Sequence, residues 1–401
     1  MGIKEGLDHT LDLLMSCGNP HHQLKTIHIA GTNGKGSTSS MLASILRSAG
    51  YRVGLYTSPH LIRFNERITI NEQLISDDEI ILFLDKYHDE IDRIRSTFFE
   101  TTTVMALNYF HQKKVDIAII EVGLGGRLDS TNVISPQITA ITPISLDHQH
   151  ILGNDILKIA KEKSGIIKKN TPLVLSHQDQ EVQSCIHNIA EKMNSSVIDI
   201  GKISNINLTS SGIEFKSKWG KFNSPLIGYH QSQNSATAIA IAKTFDSKIN
   251  KQTIQDGLNQ TKWKGRLQKI SNKFPIYYDV AHNAKGINVT IESIVSIYNS
   301  LPHIVISIKG DKDIELISNA LIDQYKSLII TGSNQLDLMS ANQLFKYFKK
   351  NSNHLNIQMV DSLENSFDIL IDRAKSSHNP GIIMGSHYLA KAVFDKFGIF
   401  T

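Results

Sequence analysis

Short continuous apolar runs along the chain alternate with longer stretches whose apolar positions recur every three or four residues. That is the pattern of buried strands separated by amphipathic helices. Lys25–Ala30 reads as a strand, and Lys35–Ala49 as a helix stopped by Gly50. Arg52–Tyr56 is a second short strand. Ser76-Asp-Asp-Glu79 is a capping box opening a helix that ends near Arg95. Glu100–Lys114 predicts another helix, and Val115–Glu121 an apolar strand with a carboxylate at its C-terminal end. Gln137–Pro143 and Pro172–Ser176 repeat the theme. Strands spaced in this way imply a mostly parallel sheet covered on both faces. Ligands of such sheets gather at the carboxyl ends of strands, where Gly31–Ser37, Ser58, Glu121 and Asp147–His148 fall.

From about Ile203 to Leu226 the pattern shortens to alternating segments with Ser, Gly and Asn turns, which predicts a small antiparallel element. A helix from Tyr229 to Phe245 follows. A second strand–helix series starts near Lys273, with strands at Ile276–Val280, Ile304–Ile308, Ser327–Thr331, Asn356–Val360 and Gly381–Met384. The expected class is therefore α/β in two domains. Residues 1–271 carry the first sheet and the antiparallel element, and residues 272–401 form a Rossmann-like unit. A chain of 401 residues is long enough for each to bury its own core.

Composition changes this picture little. Net charge is only +4, with Lys and Arg scattered, so neither a nucleic-acid nor a membrane surface is indicated. Cys17 and Cys185 stand far apart, outside any metal-ligand spacing, which favours a reducing compartment. Asp8 and His9 interrupt any signal-peptide core, and no apolar run is long enough to span a bilayer. A cytoplasmic, soluble monomer is expected.

The most informative chemistry is Gly31-Thr-Asn-Gly-Lys-Gly-Ser37, placed between a strand and a helix. Its glycines let backbone N–H groups turn toward a polyphosphate, and the helix dipole adds positive potential. Lys35 can neutralise β/γ-phosphate charge, and Ser37 lies where Mg²⁺ or a phosphate oxygen would sit. The glycines before Lys35 are more closely spaced than in the usual G-x-x-x-x-G-K-[ST] loop, so this is a variant P-loop. The competing reading is an Asn-Gly turn capping an ordinary helix. It explains neither Lys35 nor the buried strand before it.

Glu121 ends a buried strand beside that loop, a position suited to holding Mg²⁺, although solvated strand ends also carry carboxylates. His148 follows another strand and is either a ligand or an ordinary loop histidine. Arg127 and Asp129 either touch substrate or staple the glycine-rich turn. Lys163 sits near a helix end, where a cation is favoured in any case. Phe98 and Phe99 either stack on a planar ring or belong to the core.

A set of motifs in fixed order bears on these choices. Gly31-Thr-Asn-Gly-Lys-Gly-Ser37, Thr57-Ser-Pro-His-Leu61, Phe64-Asn-Glu-Arg67, Glu121-Val-Gly-Leu-Gly-Gly-Arg-Leu-Asp129 and Leu146-Asp-His148 resemble folylpolyglutamate synthase/dihydrofolate synthase, of the Mur ligase superfamily. So do Ile159-Ala-Lys-Glu-Lys-Ser-Gly165, His230-Gln-Ser-Gln-Asn234, Trp263-Lys-Gly-Arg266 and Asp279-Val-Ala-His-Asn283. The resemblance implies an ATP-dependent amide ligase. ATP phosphorylates a substrate carboxylate, and the amine of L-glutamate attacks the acyl phosphate. The carboxylate belongs to dihydropteroate or a reduced folate.

Carried over residue by residue, the resemblance gives Gly34, Lys35, Gly36 and Ser37 the ATP phosphates. Asn234, Arg266 and Asp279 become further ATP contacts. Ser58, Glu121, His148 and a carbamylated Lys163 would hold two Mg²⁺ ions, and Lys35, Lys163 and His148 would be catalytic. Thr97, Phe98, Phe99, Glu100, Leu128, Asp129 and Ser130 would contact the pterin side of the substrate. Lys264 stands where Pro is usual, and Asp155 where Thr is typical. Lys309-Gly-Asp-Lys-Asp313 keeps an Asp-Lys-Asp core with an altered lead-in. The alternatives are a related ligase acting on a cell-wall precursor carboxylate, a phosphotransferase with a hydroxyl acceptor, and a non-catalytic nucleotide-binding protein.

Overall fold

The computed structural model describes residues 6–333, 336–351 and 356–399. Its first sheet contains β1 (Thr26–Ala30), β2 (Val53–Tyr56), β3 (Ile68–Ile70), β4 (Gln73–Leu74), β5 (Ile117–Glu121), β6 (Ile138–Ile141), β7 (Leu173–Leu175) and β8 (Val197–Asp199). The order is β4-β3-β2-β5-β1-β6-β7-β8. From β2 to β8 neighbours are parallel, and β3 and β4 add an antiparallel hairpin at one edge. Alternate residues of the central strands feed two cores. Ile27, Ile29, Ile117 and Ile119 meet Met41, Leu42 and Ile45 of the Lys35–Ser48 helix. Ala118 and Ile120 meet Val104, Leu107 and Phe110 of the Phe98–Gln112 helix on the other face.

The predicted antiparallel element is β9 (Ser204–Thr209), β10 (Gly212–Ser217) and β11 (Gly220–Ser224). Its Phe215 and Phe222 close the first core. The third sheet holds β12 (Gln268–Lys269), β13 (Ile276–Asp279), β14 (His303–Ile306), β15 (Ser327–Ile330), β16 (Ile357–Met359) and β17 (Gly381–Met384), in the order β12-β13-β17-β14-β15-β16. All pairs are parallel except β12 with β13. Because Gln268–Lys269 already pairs with β13, this sheet begins upstream of residue 272.

Two local features differ from expectation. The helix predicted from Glu100 starts at Phe98, because Thr97 caps it. A short helix at Ile314–Ala320 follows the Lys309–Asp313 loop. Among the described residues no helix is long and apolar enough to cross a membrane.

Candidate functional site: a phosphate loop facing an aromatic-edged cleft

Gly34 closes the loop after β1 and opens the Lys35–Ser48 helix with a left-handed backbone (φ 87°). A Cβ there would lie 2.3 Å from Asn234 Oδ1, so the position needs glycine for contact as well as conformation. The loop is braced from β6. The N–H groups of Thr32 and Asn33 donate to Pro143 O (3.0 and 3.1 Å). Thr32 Oγ1 donates to Ser145 O (3.0 Å) and accepts from Ser145 N (3.1 Å). The side chain of Lys35 folds over the loop, with Nζ 3.2 Å from Gly31 O and 3.4 Å from Thr32 O. Ser37 is buried in the first helical turn. This is a braced helix N-terminus carrying its own lysine, suited to an anion.

Glu121 ends β5, buried, and accepts the Ser58 N–H at 3.2 Å. Burial raises its pKa against the pull of Lys35, the Ser58 amide, Arg266 and Arg67. Lys163, on the Ile156–Ser164 helix, is buried too. Burial and then Lys35 push its pKa down to about 7. Lys35 is thus a charge that both groups feel across one rim. His148 follows with a left-handed backbone (φ 49°). Burial lowers its pKa to about 4 despite the opposing pull of Asp147, so the ring is neutral, as a metal ligand must be.

Among the described residues no three His, Cys, Asp or Glu side chains converge as a ready metal cluster. The candidate donors are one hydroxyl, one carboxylate and one imidazole. Mg²⁺ is usually held by one or two carboxylates plus substrate phosphates, with waters completing the shell. The donor set therefore fits a cation that arrives with a polyphosphate.

A cleft of about 1130 Å³ runs from this rim between the two sheets. Its walls include Gly36, Ser58, His148 and Arg266, together with Thr97, Phe98, Phe99, Glu100, Leu128, Asp129 and Ser130. Phe98 is 57% exposed, with the Arg67 guanidinium 5.2 Å from its ring centre. Phe99 turns inward instead, where a Cβ on Gly123 would come within 2.3 Å of its ring. Thr97 and Glu100 form a reciprocal capping box, Thr97 N donating to Glu100 Oε2 at 2.6 Å and Glu100 N to Thr97 Oγ1 at 3.3 Å.

Asp129 borders the cleft and also staples the glycine-rich turn. Its Oδ2 accepts Leu124 N (2.8 Å), and its Oδ1 accepts Thr131 N (3.0 Å) and the Thr131 hydroxyl. Since that hydroxyl donates to Asp129, the buried His28 ring donates to it from Nε2, 2.8 Å away. Arg127 Nε reaches Glu162 at 3.1 Å and ties the turn to the Lys163 helix. Asp129 and Arg127 thus both staple the turn and both line the cleft.

On the second side, Asn234 is buried against the loop and donates to Gln231 Oε1 (3.0 Å). Asp279 ends β13 with Oδ2 accepting Leu267 N and Oδ1 accepting Ala281 N, both at 2.7 Å. It pins the crossing between the two sheets. Arg266 stands on the cleft wall, where Lys309, Lys312, His387 and Tyr388 join it. Sequence reasoning gave these last four no role. They follow the carboxyl ends of β14 and β17, so the strand-end rule used on the first sheet would have found them.

Residues 29–242 match the family model described as the Mur ligase middle domain. The chain is 38% identical over 331 residues to the dihydrofolate synthase/folylpolyglutamate synthase of Bacillus subtilis, covering 78% of this chain and 77% of that one. It is 33% identical over 404 residues to the folylpolyglutamate synthase of Lacticaseibacillus casei, covering 96% and 92%. Among solved structures, Mycobacterium tuberculosis folylpolyglutamate synthase complexed with ADP and AMPPCP superposes with a TM-score of 0.92 at 28% identity, covering 99% of this chain and 96% of that one. Escherichia coli FolC in complex with DHPP and ADP gives 0.86 at 28% identity, covering 98% and 94%. The chain belongs to the folylpolyglutamate synthase/dihydrofolate synthase family of Mur ligases.

Proposed function

We propose that this chain is an ATP-dependent ligase joining L-glutamate to a folate-type carboxylate, converting dihydropteroate to dihydrofolate, extending reduced folates, or both. The observation that carries this reading is a single cleft with a braced phosphate loop at one end and an exposed aromatic, Phe98, at the other. Phosphoryl transfer to a carboxylate demands charge neutralisation and in-line positioning more than covalent help. Gly34, Lys35, Gly36 and Ser37 hold the phosphates, with Lys35 swinging from its loop carbonyls to the transferring group. Asn234 fixes the loop from behind, while Arg266 and Asp279 close the second unit over the nucleotide.

The substrate ring lies along Phe98 and Leu128, and its carboxylate points toward Glu121. Thr97, Phe99, Glu100, Asp129 and Ser130 shape that end. Ser58, Glu121 and His148 would hold Mg²⁺, which when bound shields the polyphosphate and acyl phosphate charges. A second ion would use Lys163. Its pKa, lowered to about 7, leaves a substantial share of the amine neutral at neutral pH, able to add to CO₂ and lose a proton, leaving a carbamate oxygen donor. The acceptor amine of L-glutamate then enters from the second unit, displacing phosphate from the acyl carbon.

The boundary expected at residue 271 moves upstream of Gln268, because Gln268–Lys269 pairs with β13 of the second unit, and the protein works as a cytoplasmic monomer on small molecules. ADP formation measured across acceptor pairs tests the reading. Release should require L-glutamate together with dihydropteroate or a reduced folate. Release with muropeptide precursors and not with pteroates would overturn it.

A further inference from the structure

One carboxylate that the catalytic scheme above leaves unused sits where the two units meet. Asp147 lies in the loop after β6, with its side chain 10% exposed. Its Oδ1 accepts from the backbone N–H of His148 (2.8 Å) and from Lys312 Nζ (2.9 Å). Its Oδ2 lies 3.4 Å from His282 Nε2 and 3.4 Å from Asn283 Nδ2. Asn283 Nδ2 also donates to Asn33 Oδ1 of the phosphate loop at 3.0 Å. We propose that Asp147 is a positioning residue for ligation, a latch that seats the second unit on the phosphate rim while fixing the backbone of His148.

Three second-unit side chains converge on Asp147 from two loops, the one after β13 and the one after β14. Lys312 is as enclosed as its partner, at 9% exposure. Removing one member of so enclosed a pair strands the other charge, which is costly. Among the described residues the remaining ionic contact between the units, Lys285 with Asp179, spans 3.8 Å and is 49% and 78% exposed. A pair of that kind contributes little. Among the described residues the ionic coupling between the units is therefore concentrated on Asp147, while Gln149 with Asp313 (3.0 Å) and Tyr229 with Ser293 add uncharged hydrogen bonds. The left-handed turn at His148 gains its support from the same carboxylate, so seating the second unit and presenting His148 are one event.

If only the seated state binds nucleotide and amino acid well, apparent affinity falls in proportion to the seated fraction. In Asp147→Asn, KM for ATP and for glutamate should each rise roughly tenfold, with kcat at saturation held within about threefold. Small-angle scattering of the nucleotide-free protein should show a larger radius of gyration, with the secondary structure of the parent retained by circular dichroism. Lys312→Met leaves the first unit intact and should reproduce both changes. The double variant should be no worse than the poorer single variant.

Additive losses in the double variant would mean that the two residues act separately, and would overturn the latch. So would a collapse of kcat at unchanged KM, or an unchanged radius of gyration in both single variants. The kinetic arm rests on the ligase reading, whereas the scattering arm does not. Silence of the ADP assay with every acceptor, alongside an expanded Asp147→Asn, would reject the reading and keep the latch.

Discussion

The two ends of the cleft are built on opposite principles. At the phosphate end, Glu121 and Lys163 are buried, both feel the charge of Lys35, and burial outweighs the opposite charges around each. Burial pushes the Glu121 carboxyl up and the Lys163 amine down, each toward its uncharged form. At the aromatic end, the acids are hydrogen-bonded within the protein, although burial raises the Asp129 carboxyl as well. Glu100 caps its own helix, and Asp129 is held by Leu124, Thr131 and, one step removed, His28. One end stores unfavourable electrostatics that a ligand relieves, and the other is finished as protein and offers shape. Substitutions should accordingly damage turnover at the first end and substrate affinity at the second.

The largest effect is expected at Glu121. Glu121→Gln keeps the shape and removes the charge, and should lower ligase kcat by roughly 10³-fold, the scale of losing one preorganised electrostatic partner. The thermal midpoint should hold or rise, because a buried amide costs less than a buried, poorly compensated carboxylate. Activity above about a tenth of the parent would break the contrast between the ends.

Lys163 comes next. Its amine is mostly charged below about pH 7 and mostly neutral above. Carbamate read by ¹³C NMR in labelled bicarbonate should therefore grow as pH rises from about 6 to about 8, and Lys163→Met should lack the signal. The stability term has a definite sign as well. The folded pKa lies below the ordinary lysine value of 10.5, so unmodified Lys163 costs stability below about pH 7. That cost fades as pH climbs toward the unfolded value. A pH-independent signal, or none in an active enzyme, would remove Lys163 from the rim's chemistry.

At the other end, Phe98→Ala should raise KM for the pteroate or folate roughly tenfold. Losing one stacking face costs about 1–1.5 kcal/mol, and kcat at saturation should stay near the parent. Phe99→Ala should behave differently. Its ring fills the space beside Gly123 and Tyr56, so the loss should appear as a lower thermal midpoint.

Why these ends differ in legibility follows from the same contrast. The phosphate end is written in local sequence: Gly34 must be glycine because its backbone is left-handed and Asn234 is close, and Glu121 ends an apolar strand. The alternation of strands with helices and the antiparallel β9–β11 element were likewise readable, since period and turn residues are local signals, whereas the strand order was not. The cross-unit contacts were not. Asp147, Lys312 and Asn283 are far apart in the chain, and no periodicity announces that they will converge. Sequence pattern could not decide between Asp129 as staple and as cleft wall, because a short Asx turn serves both. His28 gave no signal beyond being a polar residue in a buried strand. Its role appears only once Thr131 is placed beside it.

The smallest effect is the most discriminating for Thr97, which borders the cleft and also caps the Phe98–Gln112 helix. Thr97→Ala deletes the hydroxyl that accepts Glu100 N, while Glu100 still accepts the backbone N–H of residue 97. Half of the box survives, so the loss should sit near 1 kcal/mol, the usual range for a Thr cap. It should appear as a midpoint lowered by a few degrees, with KM for the folate-type substrate unchanged. Thr97→Ser, which restores the acceptor, should recover the midpoint. If Thr97→Ala instead raises KM several-fold and Thr97→Ser rescues KM and stability together, the hydroxyl also meets substrate. The aromatic end would then share the double duty seen at Asp129. If only the midpoint moves, the cap is purely structural, and recognition at this end falls to Phe98 and the glycine-rich turn.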